Sequence, residues 1–124
     1  MNLSLVMLGG ALGAGARHLV GRLTLALFGA GFPWGTLAVN LIGGLAMGLL
    51  AGSVLRFGAN SEAWRLFLGV GVLGGFTTFS SFSLDVVTLA ERGAMAFAFG
   101  YALLSVVGAI AALFAGLTLA RAAA

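Results

Sequence analysis

Gly69-Val70-Gly71-Val72-Leu73-Gly74-Gly75-Phe76-Thr77-Thr78-Phe79-Ser80-Ser81-Phe82-Ser83-Leu84-Asp85 is the stretch whose reading decides how this chain folds. It lies inside a run long enough to cross a bilayer, yet it carries paired glycines, two threonines, three serines and a carboxylate. Such groups are unfavourable in hydrocarbon. A helix that reaches Gly74 and Gly75 and then meets Thr77 and Thr78 loses backbone hydrogen bonds, because glycine lacks restraint and β-branched threonine is stiff. At membrane depth, freed backbone survives only where protein or a water-lined cavity satisfies it, and such interruptions are where ion sites are built. The stretch therefore predicts a broken spanning helix with function at the break.

The composition around it sets the class. A chain of 124 residues that is 61% hydrophobic and 7% charged, with a mean hydropathy of +1.17, reads as one transmembrane domain over residues 1–124. Twenty-one glycines against one proline suit closely packed membrane helices, where small residues let backbones approach. The formal charge of +3 comes from six arginines against Glu62, Asp85 and Glu91, too sparse for a nucleic-acid surface. With no cysteine and only His18 there is no thiolate site and no imidazole cluster. No base, nucleophile and metal set is arranged as an enzyme would need. The N-terminus has neither a basic region before its apolar run nor a short run ending at a cleavage site, so it reads as a retained first helix.

A spanning helix needs about 20 mostly apolar residues. Four segments qualify, at residues 3–28, 34–55, 63–89 and 94–120. Their connections are short: a glycine and proline turn at residues 29–33, a polar loop at 56–62, and a tight hairpin of Glu91, Arg92 and Gly93. An all-α, up-down arrangement of four helices follows. Trp34 and Trp64 fall at segment ends, where amphipathic rings favour the interface.

Within this frame a few residues stand out. Gly9 and Gly13 share a face of the first helix for close packing. Arg17 sits well inside a span, where a charge costs roughly 2.5–3.5 kcal/mol, so it faces a vestibule, anchors structure or snorkels. Asp85 is its counterpart in the third span, and an Arg17–Asp85 ion pair is one arrangement open to them. His18 reads as packing or interface. In the second helix Asn40 is the strongly polar side chain, followed by the small residues Gly43, Gly44, Gly48 and Gly52. Its amide either bonds between helices or presents its NH2 to an anion.

Phe76, Phe79 and Phe82 recur every three residues, interleaved with the hydroxyls of Thr77, Thr78, Ser80, Ser81 and Ser83. An aromatic wall and a polar track thus lie side by side, and a phenyl edge, weakly positive through its quadrupole, can face an anion. Tyr101 and Ser105 add two hydroxyls four residues apart on the fourth helix, although local backbone bonding accounts equally well for Ser105.

At Gly35-Thr36-Leu37-Ala38-Val39-Asn40 and from Gly74 to Ser83 the chain resembles the Fluc (CrcB-like) family of fluoride channels, and Gly13-Ala14 followed by Arg17 also fits that pattern. The four-helix layout extends the resemblance over essentially the whole chain. It implies an antiparallel, dual-topology homodimer in the inner (plasma) membrane that exports fluoride passively through two pores. It also implies a central structural sodium ion held by the backbone carbonyls of Gly74 and Thr77. By matched position the pore aromatics are Phe79 and Phe82, Asn40, Tyr101 and Ser105 are pore-side polar groups, and Ser80, Ser81 and Ser83 continue the track. Three departures stand out: Asp85 where glutamate is usual, His18 where an aromatic is common, and Ala109 where some members continue the fourth-helix serines.

Fluoride is costly to dehydrate, so a conducting passage replaces its water with several weak donors, which also lets the ion leave. With Arg17 and Arg22 counted on the side of residues 29–33, three arginines including Arg92 oppose Arg56, Arg65 and Arg121. That balance gives no positive-inside instruction and suits dual insertion. The rival readings are a small dual-topology multidrug exporter, which wants a membrane-embedded carboxylate in proton exchange, and a non-conducting assembly subunit, which has no need of Asn40 and the hydroxyls.

Overall fold

The computed structural model describes residues 2–123, so the outermost residues of the 1–124 domain lie outside it. Four helical stretches are long and apolar enough to cross a membrane: Asn2–Phe28, Trp34–Ser53, Arg56–Glu91 and Met95–Ala122. The first is helix α1 (Asn2–Phe28), which ends at Gly29, whose φ of 77° returns its N–H to the Leu25 carbonyl at 2.9 Å. After a five-residue turn closed by Pro33, α2 (Trp34–Ser53) runs back and passes into 3-10 turns over Val54–Asn60, which are kinked at Gly58 (φ 65°, ψ −132°).

The third stretch is assembled from successive pieces. A short α3 (Ser61–Trp64) leads into a π-helix, Arg65–Leu73, and then into one further turn, α4 (Gly74–Phe76). Thr77 is extended (φ −82°, ψ 160°), and helical winding resumes in α5 (Ser80–Glu91). Gly93, with φ 80°, turns the chain into α6 (Met95–Ala122).

Glycine decides which helices touch. The α2–α6 contact is the most extensive in the molecule. There a Cβ on Gly48 would run into the Leu113 carbonyl, and one on Gly116 into that of Leu45. Helix α1 meets the third stretch in the same way: Cβ atoms on Gly9 or Gly13 would strike the carbonyls of Phe67 and Val72. Such backbone-to-backbone approach replaces the hydrophobic drive that is missing between helices in lipid. A cluster of Leu37, Phe82, Leu89, Ala98 and Tyr101 makes the core where α2, α5 and α6 converge. Elsewhere the large apolar side chains, among them Leu3, Leu12, Leu19, Phe99 and Phe114, point outward, as a lipid-facing surface requires. At the far end Arg56 donates through Nη2 to the Ala120 carbonyl at 2.7 Å and to the Gly52 carbonyl at 3.3 Å, tying the ends of α2 and α6 together.

Candidate functional site

The site begins where helical hydrogen bonding stops. The N–H and the hydroxyl of Thr77 both donate to the Leu73 carbonyl, each at 3.0 Å, and close the last turn before the extended residue. Asn40 of α2 then engages the next peptide from the side. Its Oδ1 accepts from Thr78 N–H at 2.9 Å and its Nδ2 donates to the Thr78 carbonyl at 3.0 Å. Gly43, one turn further along α2, leaves room for the Thr77 methyl group. The Thr78 hydroxyl accepts from Ser81 N–H at 3.2 Å, the service a capping residue gives to a new helix.

These diversions have a consequence for the carbonyls. In a continuous helix the N–H of residue i+4 serves the carbonyl of residue i. Thr78 N–H would serve Gly74 but is held by Asn40, and Ser81 N–H would serve Thr77 but is held by Thr78. Among the described residues no other backbone donor outside the regular helical bonding replaces them. Between the two, the Gly75 carbonyl accepts from Arg17 Nε at 3.2 Å. Gly74 and Thr77, like Phe76 between them, thus offer carbonyl oxygens without a backbone donor, the ligand type a hard cation takes. Among the described residues no group of three His, Asp or Glu side chains assembles to hold a metal.

Asn40, Thr78, Phe79, Phe82 and Ser105 line a cavity of about 390 Å³ beside the interruption. Phe79 and Phe82 lie 5.7 Å apart, ring centre to ring centre, and Phe82 stands 5.3 Å from Tyr101. Their settings differ sharply: Phe82 is 9% exposed and Tyr101 fully buried, whereas Phe79 is 76% exposed. The Ser105 hydroxyl is buried beside that of Tyr101, and among the described residues the local backbone bond open to it from sequence does not form.

A second cavity, of about 320 Å³, is lined by Arg17, His18, Arg22, Thr36, Thr78 and Ser81. A third, of about 300 Å³, holds Asp85, Thr88 and Arg92 and shares Thr36 with the second. Thr78 therefore borders the first two spaces and Thr36 the last two. Ser80 and Ser83 line none of the three, and the Ser83 hydroxyl donates to the Phe79 carbonyl of its own helix at 2.9 Å.

The Arg17–Asp85 ion pair left open by the sequence does not form. Arg17 is drawn to the carbonyl freed at Gly75, and Asp85 accepts instead from the Tyr101 hydroxyl, Oδ2 at 3.1 Å. Among the described residues the ion pair is Arg65 with Glu62, at 2.6 Å and away from the site. Thr36 is the lining residue that the sequence reading passed over, whereas Thr78 was read there only as one hydroxyl of the track and proves to be the peptide that Asn40 holds. Thr36 lies one helical turn before Asn40, and that placement was its available signal.

Four apolar stretches packed through glycine, with polar side chains gathered at an irregular backbone, define a multi-pass helical membrane protein. The chain belongs to the CrcB-like family: the model described as "CrcB-like protein, Camphor Resistance (CrcB)" matches residues 4–117. It is similar to the "Fluoride-specific ion channel FluC" of Sphingopyxis alaskensis, with 60% identity over 94% of this chain and 92% of that protein. Proteins of the same name in Mesorhizobium japonicum (58% identity, covering 97% of this chain and 96% of the relative) and Agrobacterium fabrum (55%, covering 98% and 97%) are also similar.

Proposed function

We propose that the protein is a fluoride-selective channel that lets the anion leave the cell down its gradient, and that it is a transporter rather than an enzyme. The observation that carries this reading is the meeting of Asn40, Phe79, Phe82 and Ser105 on one cavity beside the interruption. The Ser105 hydroxyl, a neighbour of the Tyr101 hydroxyl, can rotate to donate to a passing ion. Asn40 fits beside it. Its Nδ2 spends one hydrogen on Thr78, which fixes the amide, and keeps a second for an anion. Several weak donors in a dry passage can replace part of the hydration shell without trapping the ion.

The finer reading is an antiparallel homodimer, its third spanning helix broken between Phe76 and Ser80. Phe79, so exposed in a single chain, supports it, because a pore wall must be covered from its other side. Two copies meeting at the break would bring together two pairs of uncommitted carbonyls, from Gly74 and Thr77. Four oxygens suit a hard cation such as sodium, whose chemistry there is to neutralise converging carbonyl dipoles and hold the two breaks together. The exporter alternative gains nothing, since Asp85, its needed carboxylate, is engaged by Tyr101.

Anion efflux from liposomes containing the purified protein tests the reading. Fluoride should leave rapidly and chloride should not; equal fluxes, or a need for a proton gradient, would refute it.

A further inference from the structure

We infer that Arg17 acts on conduction as a positioning residue, through the hydrogen bond from its Nε to the Gly75 carbonyl, and not as a charge that attracts anions. The inference rests on the channel reading above. Arg17 lies on α1, and the bond spans to the turn that immediately precedes extended Thr77. In an unbroken helix the Gly75 carbonyl would be served by Phe79 N–H, but Phe79 stands beyond the interruption. The four successive carbonyls of residues 74–77 thus come loose from helical bonding, and Arg17 takes one of them. Asn40 holds the same segment from α2 by bracketing the Thr78 peptide at 2.9 and 3.0 Å. The segment that carries Phe79 is therefore gripped from both neighbouring helices, by Arg17 on its near side and Asn40 on its far side.

The close approach that makes this possible is itself built in. A Cβ on Gly75 would come within 2.6 Å of the Gly10 carbonyl, and one on Gly13 within 2.9 Å of Phe76 N, so α1 lies directly against the turn and Arg17, one turn beyond Gly13, reaches it. By taking the Gly75 carbonyl, Arg17 leaves those of Gly74, Phe76 and Thr77 uncommitted. The bond engages Nε and leaves the guanidinium charge in place, so geometry and charge have to be separated by substitution.

Three substitutions separate geometry from charge. R17Q places an amide nitrogen where Nε stands and removes the charge; R17K keeps the charge and puts a methylene there; R17M removes both. Fluoride efflux and the hydrogen exchange of the amides of residues 77–81 are measured for each in the purified protein. If Arg17 positions the break, R17Q stays within about threefold of the parent in flux, and R17K and R17M fall by about tenfold or more, the scale of a lost hydrogen bond to a charged group. Exchange at residues 77–81 should quicken in R17K and R17M but not in R17Q. The opposite order, with R17K conducting like the parent and R17Q no better than R17M, overturns the inference, as do three variants all indistinguishable from the parent. Should R17M fail to fold, the R17Q and R17K pair still decides. Should the parent itself not conduct fluoride, the channel reading fails, and the exchange pattern alone then supports or refutes the grip of Arg17 on the break.

Discussion

At the scale of single residues, Phe79 and Phe82 separate packing from conduction. Phe82 is nearly buried against Tyr101, whereas Phe79 is largely exposed beside the same cavity. If the rings only fill space, isoleucine at either place should preserve flux, because the volume change is modest and the surface stays apolar. If their edges help solvate the anion, the contact counts for more in a dry passage than in water. F79I should then cut fluoride efflux steeply with little change in thermal stability, and F82I should cut both, since it also loses an aromatic pair worth about 0.5–1.5 kcal/mol. A double variant conducting like the parent would leave Asn40 and the hydroxyls as the remaining candidates. For Asn40 the test is N40D, isosteric but without the donor. It sets a carboxylate oxygen against the Thr78 carbonyl and places a negative charge in an anion's path, so efflux should fall by about tenfold or more. The types of these side chains, polar or aromatic in an apolar run, made them legible in the sequence. Their partners were not, because what Arg17 and Asp85 bond to depends on which carbonyls and hydroxyls the fold leaves free.

At the scale of elements, the glycines divide into those that face another backbone and those that face lipid, and only the structure sorts them. Gly13 and Gly15 are close in sequence, yet a Cβ on Gly13 would collide with the Val72 carbonyl, whereas nothing lies within reach of one on Gly15. G13A should therefore destabilise the protein by about 1–3 kcal/mol, the range for overpacking a well-filled contact. G15A should be neutral or stabilising by about 0.5–1 kcal/mol, as expected for replacing glycine by alanine inside a helix. Thermal unfolding in detergent, followed by loss of monodispersity, reads both; equal effects would mean that α1 does not rest on the third stretch through this face. The small-residue run Gly44, Gly48 and Gly52 was readable as a packing face from spacing alone, and it lies against α6. The π-winding of Arg65–Leu73 and the 3-10 turns of Val54–Asn60 left no such trace. Which carbonyl accepts from three, four or five residues ahead is settled by what packs against the helix, and no local periodicity encodes it.

At the scale of the whole molecule, the charges bear on how the chain sits in the bilayer. Arg17 and Arg22 share one cavity, which adjoins through Thr36 the cavity of Arg92, so these three arginines gather toward one end. Arg56 is bonded to the last turns of α6, close to Arg121 in sequence, and Arg65 pairs with Glu62 near the start of the third stretch. Three against three gives an inserting chain no bias toward either orientation. The proposed homodimer of oppositely oriented copies needs both insertions to occur, and it would cover Phe79 while bringing two sets of Gly74 and Thr77 carbonyls face to face. The chain has no cysteine, so a single one introduced at Ala59 or Asn60, in the exposed turns that follow α2, is the sole thiol present. With a membrane-impermeant thiol reagent applied first to intact cells and then after opening them, each variant should be labelled in two comparable portions, one from each side. Labelling confined to one side would rule out the antiparallel pair while leaving a parallel dimer to be tested by cross-linking. Adding two arginines to the connection at residues 56–62 should abolish the mixed pattern, since a bias of that size instructs the translocation machinery, and fluoride efflux should disappear with it.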